Sequence, residues 1–369
     1  MISIEQYIEG VNRPVLLIGK GPSYDYFEHI LPSKYHTICL NHVGSKIKSD
    51  VTSIIDIEVM VEVGEKIESK SKYLLIPFVP HKKFNAGKRN ILEYAEEIPS
   101  LKKMYNEGRI IWYNLNTTKT VNDGSAVYLG GVNSGDTLFA ILACNNIKYV
   151  YSLGIDGGVN YSDQFSDLNP LTNGRSSFDD QSSLIRNVEN HFNANLISIA
   201  KLDTLNVYIG TSPNQIIPTK VLEYSIKKHT NNRVKCNQLC DFDRKHKVPD
   251  NPKNRPRTDF SFKRFLIPEL TNGKAFYMDS DMLVFGDLAN LLSYDFEDHE
   301  ILSCCGMDQF EHWQHSNYAF LLMDCDKIKW SIDDIVKMLD ENKLNYESLM
   351  FEFKHAKVNP IFPPEWNSL

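Results

Sequence analysis

Apolar residues fall along this chain in short runs closed by Gly- or Asp-rich turns. In the first half, residues 14–18, 37–41, 53–56, 72–77, 110–113 and 149–156 read as strands. Runs of this length without a regular polar alternation suit strands covered on both faces. Residues 138–144 and 180–192 have helical spacing, and Asn133-Ser134-Gly135-Asp136-Thr137 supplies start signals for the first of them. In the second half, residues 205–210 and 274–278 read as buried strands, and Phe262, Phe265, Leu266 and Leu270 share one face of a helix over 259–270. Strand alternating with helix predicts an α/β fold built on doubly wound, largely parallel sheets. The motif sets do not interleave, so at 369 residues two domains are expected, 1–203 and 204–369.

The turns that close these runs carry the chemistry. Residues 14–18 lead into Gly19-Lys20-Gly21-Pro22-Ser23. Small residues there let the backbone approach a phosphate or ribose, and amides at a following helix end bind anions. The third glycine of a dinucleotide fingerprint is missing. Asn41, Ser134 and Asp156 each end a strand or start a helix, so they should meet the Gly-rich loop at one sheet edge. In the second half, the run 274–278 ends in Asp279-Ser280-Asp281. Period two places both carboxylates on one side of an extended chain, where two hard oxygens can hold a divalent cation. Apolar residues on both sides favour that reading over a solvated acidic turn. A helix over 259–270 would bring Arg264 close to the same point.

Composition narrows the classes. A net charge of −7 argues against general nucleic-acid binding. Two local basic stretches remain, 81–89 and 244–257, and Pro249, Pro252 and Pro256 make the second a loop. It reads either as a cationic flap over a diphosphate or as a solvated loop. Seven cysteines without paired zinc spacing suit reduced thiols. No basic-then-apolar leader and no run long enough to span a bilayer occur, so the expected location is cytoplasmic. Peripheral membrane association stays open.

In order, residues 205–210, 277–284, 316–325, 345–349 and 363–367 resemble glycosyltransferase family 8, the retaining, metal-dependent enzymes of the GT-A fold. That resemblance implies a nucleotide-sugar donor, in the first instance a UDP-hexose, and a saccharide or glycolipid acceptor. It implies Mn²⁺ or Mg²⁺ on Asp279 and Asp281, with Tyr208, Gly210 and Thr211 toward the nucleotide. Asn317 and Glu347 would face the donor sugar, and Arg264 would add positive charge. Front-side attack, the family's usual route to retention, needs no dedicated base. Trp366 reads either as an aromatic platform or as a core plug. The family's metal-site histidine lies beyond the point where this chain stops, which leaves a truncated C-terminus or a cation held by two carboxylates, phosphate and water. His315 and His355 are candidates for a third ligand by residue type alone.

The first half resembles the sialyltransferases of glycosyltransferase family 42, and more distantly DUF115 proteins. The matches are Gly19-Lys20-Gly21-Pro22-Ser23, Cys39-Leu40-Asn41, Ser134-Gly135 and Leu153-Gly154-Ile155-Asp156. They imply a second Rossmann-like nucleotide pocket around a CMP-sugar. The family's catalytic histidine is replaced by Arg175, always protonated and unable to act as a base, while His191 lies further along the next helix. Two alternatives to the metal-dependent retaining transferase follow: a non-catalytic nucleotide-sugar-binding or scaffolding protein, or sialyltransferase-like activity in the first domain.

Overall fold

The computed structural model describes residues 1–83, 85–116, 126–128, 133–157, 160–168, 181–258, 260–304 and 318–367. The chain divides into two compact units, Met1–Leu202 and Asp203–Leu369.

The first unit is built on β1 (Ile2–Ser3), β2 (Val15–Ile18), β3 (His36–Leu40), β4 (Ser49–Ser53), β5 (Ser71–Pro77), β6 (Ile110–Leu115), β7 (Val127–Tyr128), β8 (Tyr149–Leu153) and β9 (Asn195–Ser198). Their order is β1-β6-β5-β4-β3-β2-β8-β9, with β7 beside β6. Every pairing is parallel. From β2 the chain winds outward through β3 to β6, then returns to the other side of β2 with β8 and β9, so the sheet is doubly wound. The carboxyl ends of β2 and β8 flank the point where the winding reverses.

One strand departs from expectation. The apolar run 53–56 is not a strand; β4 is Ser49–Ser53, a polar sequence buried throughout. Its Asp50 carboxylate accepts from the Thr37 N–H at 3.0 Å and pairs with Lys72 at 2.7 Å and Arg13 at 2.9 Å. Ser49 and Thr52 are hydrogen-bonded to Ser71 on β5. The strand stays buried because each of these polar groups finds a partner.

The second unit carries β10 (Thr204–Gly210), β11 (Arg233–Gln238), β12 (Lys274–Asp279), β13 (Ile301–Cys304), β14 (Phe320–Asp324) and β15 (Val358–Phe362), ordered β11-β10-β12-β14-β13-β15. This sheet is mixed, because β14 runs antiparallel to both β12 and β13. Its two faces follow period two along the strands. Val207, Ile209, Phe276 and Met278 face Leu222 and Ile226 of helix Ile216–His229. Tyr208 and Tyr277 face Phe262, Phe265 and the helix Ile332–Asp340.

The helix expected over 259–270 is a 3₁₀ turn, Lys263–Leu266, followed by a single α turn, Ile267–Leu270. Phe262, Phe265 and Leu266 are buried as their spacing implied, and Leu270 packs against the same cluster from a half-buried position. The basic stretch 244–257 is tied down rather than free to act as a flap. Arg244 pairs with Glu269, Lys247 with Asp340 at 2.7 Å, and buried Asn254 bridges the Leu339 carbonyl and the Tyr346 N–H.

Candidate functional site

In the second unit, β10 and β12 end side by side, with Gly210 opposite Asp279. The strand stops there: Ser280 donates its N–H to the Gly210 carbonyl at 3.1 Å, and Met282 donates to the Asp279 carbonyl at 3.3 Å. Asp281 therefore lies in a turn, not on extended chain as period two assumed. Asp281 follows Asp279 by two residues, across this turn.

Asp279 is gripped from within the core. The Tyr277 hydroxyl, on a fully buried side chain, donates to Asp279 Oδ1. Arg264, 6 % exposed, brings Nη2 to 3.6 Å from the same oxygen. Its guanidinium lies 4.4 Å over the Tyr277 ring and donates to the Tyr318 carbonyl at 3.1 Å. Among the described residues nothing holds Asp279 Oδ2. Gly210 makes this arrangement fit, because a Cβ there would fall on the Tyr277 hydroxyl and 3.1 Å from Asp279 Oδ1.

Burial holds the Asp279 carboxyl above its ordinary pKa, although Arg264 and the Tyr277 bond pull the other way. Desolvation raises the Tyr277 phenol well above its usual value. A half-buried carboxylate with one oxygen fixed, the other without a partner among the described residues, and a second carboxylate two residues on fits a hard divalent cation, which would relieve both desolvation and like-charge repulsion.

The other residues singled out in this half lie as follows. Tyr208 is a core residue, 4 % exposed, so its side chain offers no open face to a nucleotide. Thr211 is buried and bonded to Thr219 at 2.8 Å. Glu347 is exposed on the short helix Tyr346–Met350, whose Tyr346 stacks on Phe262. Asn317 and His315 lie outside the described residues. His355 sits among aromatic rings rather than carboxylates, 5.1 Å from Phe265, 5.0 Å from Trp330 and 5.1 Å from Phe353 between centroids. Trp366 is half-buried and packs against the edge of the core, stacked on Phe320 at 6.2 Å. Tyr277 was not recognised as functional from sequence; its place two residues before Asp279 was the available signal. Among the described residues one trio of close ligand-type side chains occurs, Glu297, Asp298 and His299, largely at the surface, with Asp298 paired to Lys357.

In the first unit the expected segments meet. Gly19 donates to Leu153 at 2.8 Å and Gly21 to Gly154 at 2.9 Å. The Ser23 N–H donates to Asp156 Oδ2 at 2.8 Å, its hydroxyl donates to Oδ1 at 2.6 Å, and the Gly154 N–H donates to Ser23 Oγ at 2.7 Å. Asn41 donates to Ser134 at 3.2 Å.

This geometry corrects the reading of the glycines. Gly19 and Gly154 pass so close that a Cβ on either would fall on the other's carbonyl. The N–H groups of Gly19, Gly21 and Ser23 are spent on the turn after β8, so they do not form an open phosphate cradle. Likewise, Asp156 is a staple for Ser23. What remains for a ligand is different: the Asn41 Oδ1, Asn133 Nδ2 and His42 Nδ1 atoms are buried and unpartnered among the described residues. Lys20 is buried over the Tyr161 ring at 4.5 Å, and burial pushes its amine down to about 8. His42 holds Glu62 at 2.8 Å, and burial lowers its pKa. His191 is exposed on helix Gln181–Phe192, against Phe192, and Arg175 lies outside the described residues.

No known family profile matches the chain. No curated protein matches it. Among solved structures, similarity is found to the glycosyltransferase GlyE of Streptococcus pneumoniae TIGR4, at 19 % identity and TM-score 0.28 over 38 % of this chain and 39 % of that one. The sialyltransferase CstII of Campylobacter jejuni, in complex with the substrate analogue CMP-3FNeuAc, aligns at 12 % identity and TM-score 0.29 over 51 % of this chain and 81 % of that one. The bifunctional glycosyltransferase WbbM aligns at 12 % identity and TM-score 0.30 over 96 % of this chain and 87 % of that one. The alignment thus spans about two fifths of GlyE's length. At such scores the functional reading rests on this chain's own residues.

Proposed function

We propose that the second unit is a metal-dependent, retaining glycosyltransferase that uses a nucleotide-sugar, in the first instance a UDP-hexose, to extend a saccharide or glycolipid. The observation that carries this reading is Asp279 at the end of β12, beside the end of β10, with Oδ1 held from inside, Oδ2 without a partner among the described residues, and Asp281 in the turn that follows. Asp279 and Asp281 would hold Mn²⁺ or Mg²⁺, whose chemistry here is charge stabilisation of a leaving diphosphate. Tyr277 fixes the rotamer of Asp279, so the carboxylate pays little ordering entropy on binding. Arg264 offsets the carboxylates' charge from the buried side, and Gly210 lets a ligand approach the strand ends. Glu347 and Asn317 are proposed to contact the donor sugar.

UDP release from a panel of UDP-sugars with Mn²⁺ tests this. Asp279→Asn and Asp281→Asn should each lower metal-dependent turnover by at least about a hundredfold, the size expected when a principal electrostatic group is lost. Near-normal turnover with an intact fold would sink the assignment.

A second reading attaches to the first unit, which we propose as a weaker nucleotide site. It is favoured by buried Lys20 and the unpartnered Asn41 and His42 atoms at the carboxyl edge of β2 and β3. Titration with CMP, CDP and UDP checks it, and Lys20→Met should weaken whichever binds. Equal heats for Lys20→Met and wild type would remove the lysine from the site.

A further inference from the structure

The exposed face of helix Ile216–His229 carries large apolar side chains. Ile216 is 62 % exposed, Ile217 78 %, Val221 46 % and Tyr224 51 %. At about 100° per residue, Ile217, Lys220, Val221, Tyr224 and Lys228 fall within one arc of about 100°, opposite the buried Leu222 and Ile226. The segment after the carboxylate pair extends this face. Val284 donates its N–H to Ser225 at 3.0 Å, and the Phe285 ring lies 6.4 Å from that of His229. Leu283 and Phe285 are 51 % and 80 % exposed. Ile217, Val221 and Tyr224 thus share one exposed face, Ile216 stands at its edge, and exposed Leu283 and Phe285 lie on the flank that meets Ser225 and His229, a grouping that scattered single residues would not make.

We propose that this face docks on an anionic lipid surface. The helix interleaves its apolar residues with Lys220, Lys227 and Lys228 against one acid, Glu223, which pairs with Lys220 at 2.7 Å, so the helix keeps an excess of positive charge in a chain whose net charge is −7. Apolar side chains that enter the headgroup boundary, with lysines reaching phosphates around them, are the composition an interfacial helix needs. A second copy is a poorer occupant, because a two-fold contact would bring three lysines and only one acid from each copy into the same interface. Residues 283–285 begin two positions after Asp281, so docking would bring the two carboxylates toward the membrane. A lipid-linked acceptor then becomes the fitting substrate class, a clause that rests on the proposed transferase activity.

Flotation of the full chain with phosphatidylglycerol vesicles, with phosphatidylcholine vesicles as control, tests the docking. The wild type should float with the anionic vesicles at low salt and not with the neutral ones. Ile217→Ser with Phe285→Ser, and separately Lys227→Glu with Lys228→Glu, should each reduce the bound fraction at least tenfold. Neither pair should alter UDP release in vesicle-free solution, and Asp279→Asn should float like the wild type. No flotation of the wild type, or equal flotation of both double variants, would overturn the proposal. So would light scattering that shows a wild-type dimer split by these variants while vesicle binding is unchanged. Loss of transfer with flotation intact would instead count against the catalytic reading alone.

Discussion

His355 should make the second unit acid-labile in a way a single substitution removes. Its two ring nitrogens are buried and unpartnered among the described residues, as is the neighbouring Trp330 Nε1. Phe265, Trp330 and Phe353 surround the ring, with centroids about 5 Å away. Burial lowers the imidazole from 6.5 to about 4. Because the folded pKa lies below the unfolded one, the unfolded chain takes up the proton first as pH falls. Stability is full above about pH 6.5 and is lost down to about pH 4. A lowering of that size corresponds to roughly 3 kcal/mol in all, most of it lost by pH 4.5.

His355→Phe keeps an aromatic ring in the nest and abolishes the titration. Urea unfolding of wild type and variant at pH 7.5 and pH 4.5, followed by tryptophan emission, gives the comparison. His36, His42, His81 and His246 are also lowered by burial, and they cancel in the difference between the two proteins. The variant should escape most of that acid loss, a midpoint shift on the order of 1 M at ordinary urea slopes. Equal acid losses in both proteins, or an NMR titration placing His355 near 6.5, would refute the reasoning.

Gly210→Ala should cost about 1–3 kcal/mol and most of the transfer activity, because its methyl displaces the Tyr277 hydroxyl from Asp279; thermal melts and UDP release report the two effects. Ser23→Ala removes the hydroxyl that donates to Asp156 and accepts from Gly154, and should destabilise the first unit by about 1.5–3 kcal/mol in denaturant melts. Separate expression of residues 1–202 and 203–369 should give two pieces that each show cooperative unfolding; two unfolded fragments would point to one shared core.

Strand ends were the legible part of this sequence. Apolar runs closed by Gly or Asp located β2, β8, β10 and β12, because parallel sheets need continuous apolar strands and their turns need small residues. Pairing around Gly19, Ser23, Gly154 and Asp156 followed from topology alone. Other features depend on partners far away in the chain, and no local pattern carries them. The polar strand β4 is buried only because Arg13, Thr37 and Lys72 meet Asp50. The use of loop amides by the turn after β8 reversed the meaning of the glycines. Similarly, the charges of 244–257 read either as a flap or as a solvated loop, and sequence could not show that Glu269 and Asp340 pair with Arg244 and Lys247.

The Ser23–Asp156 contact spans 133 residues. A ribosome adding about 5–20 residues per second needs on the order of ten seconds to cover that distance. Throughout that interval the Gly-rich loop of a nascent chain has been made while the turn that takes up its amides has not. The loop at the centre of the first sheet thus belongs among the last parts of that unit to close, although its residues are among the first to be translated.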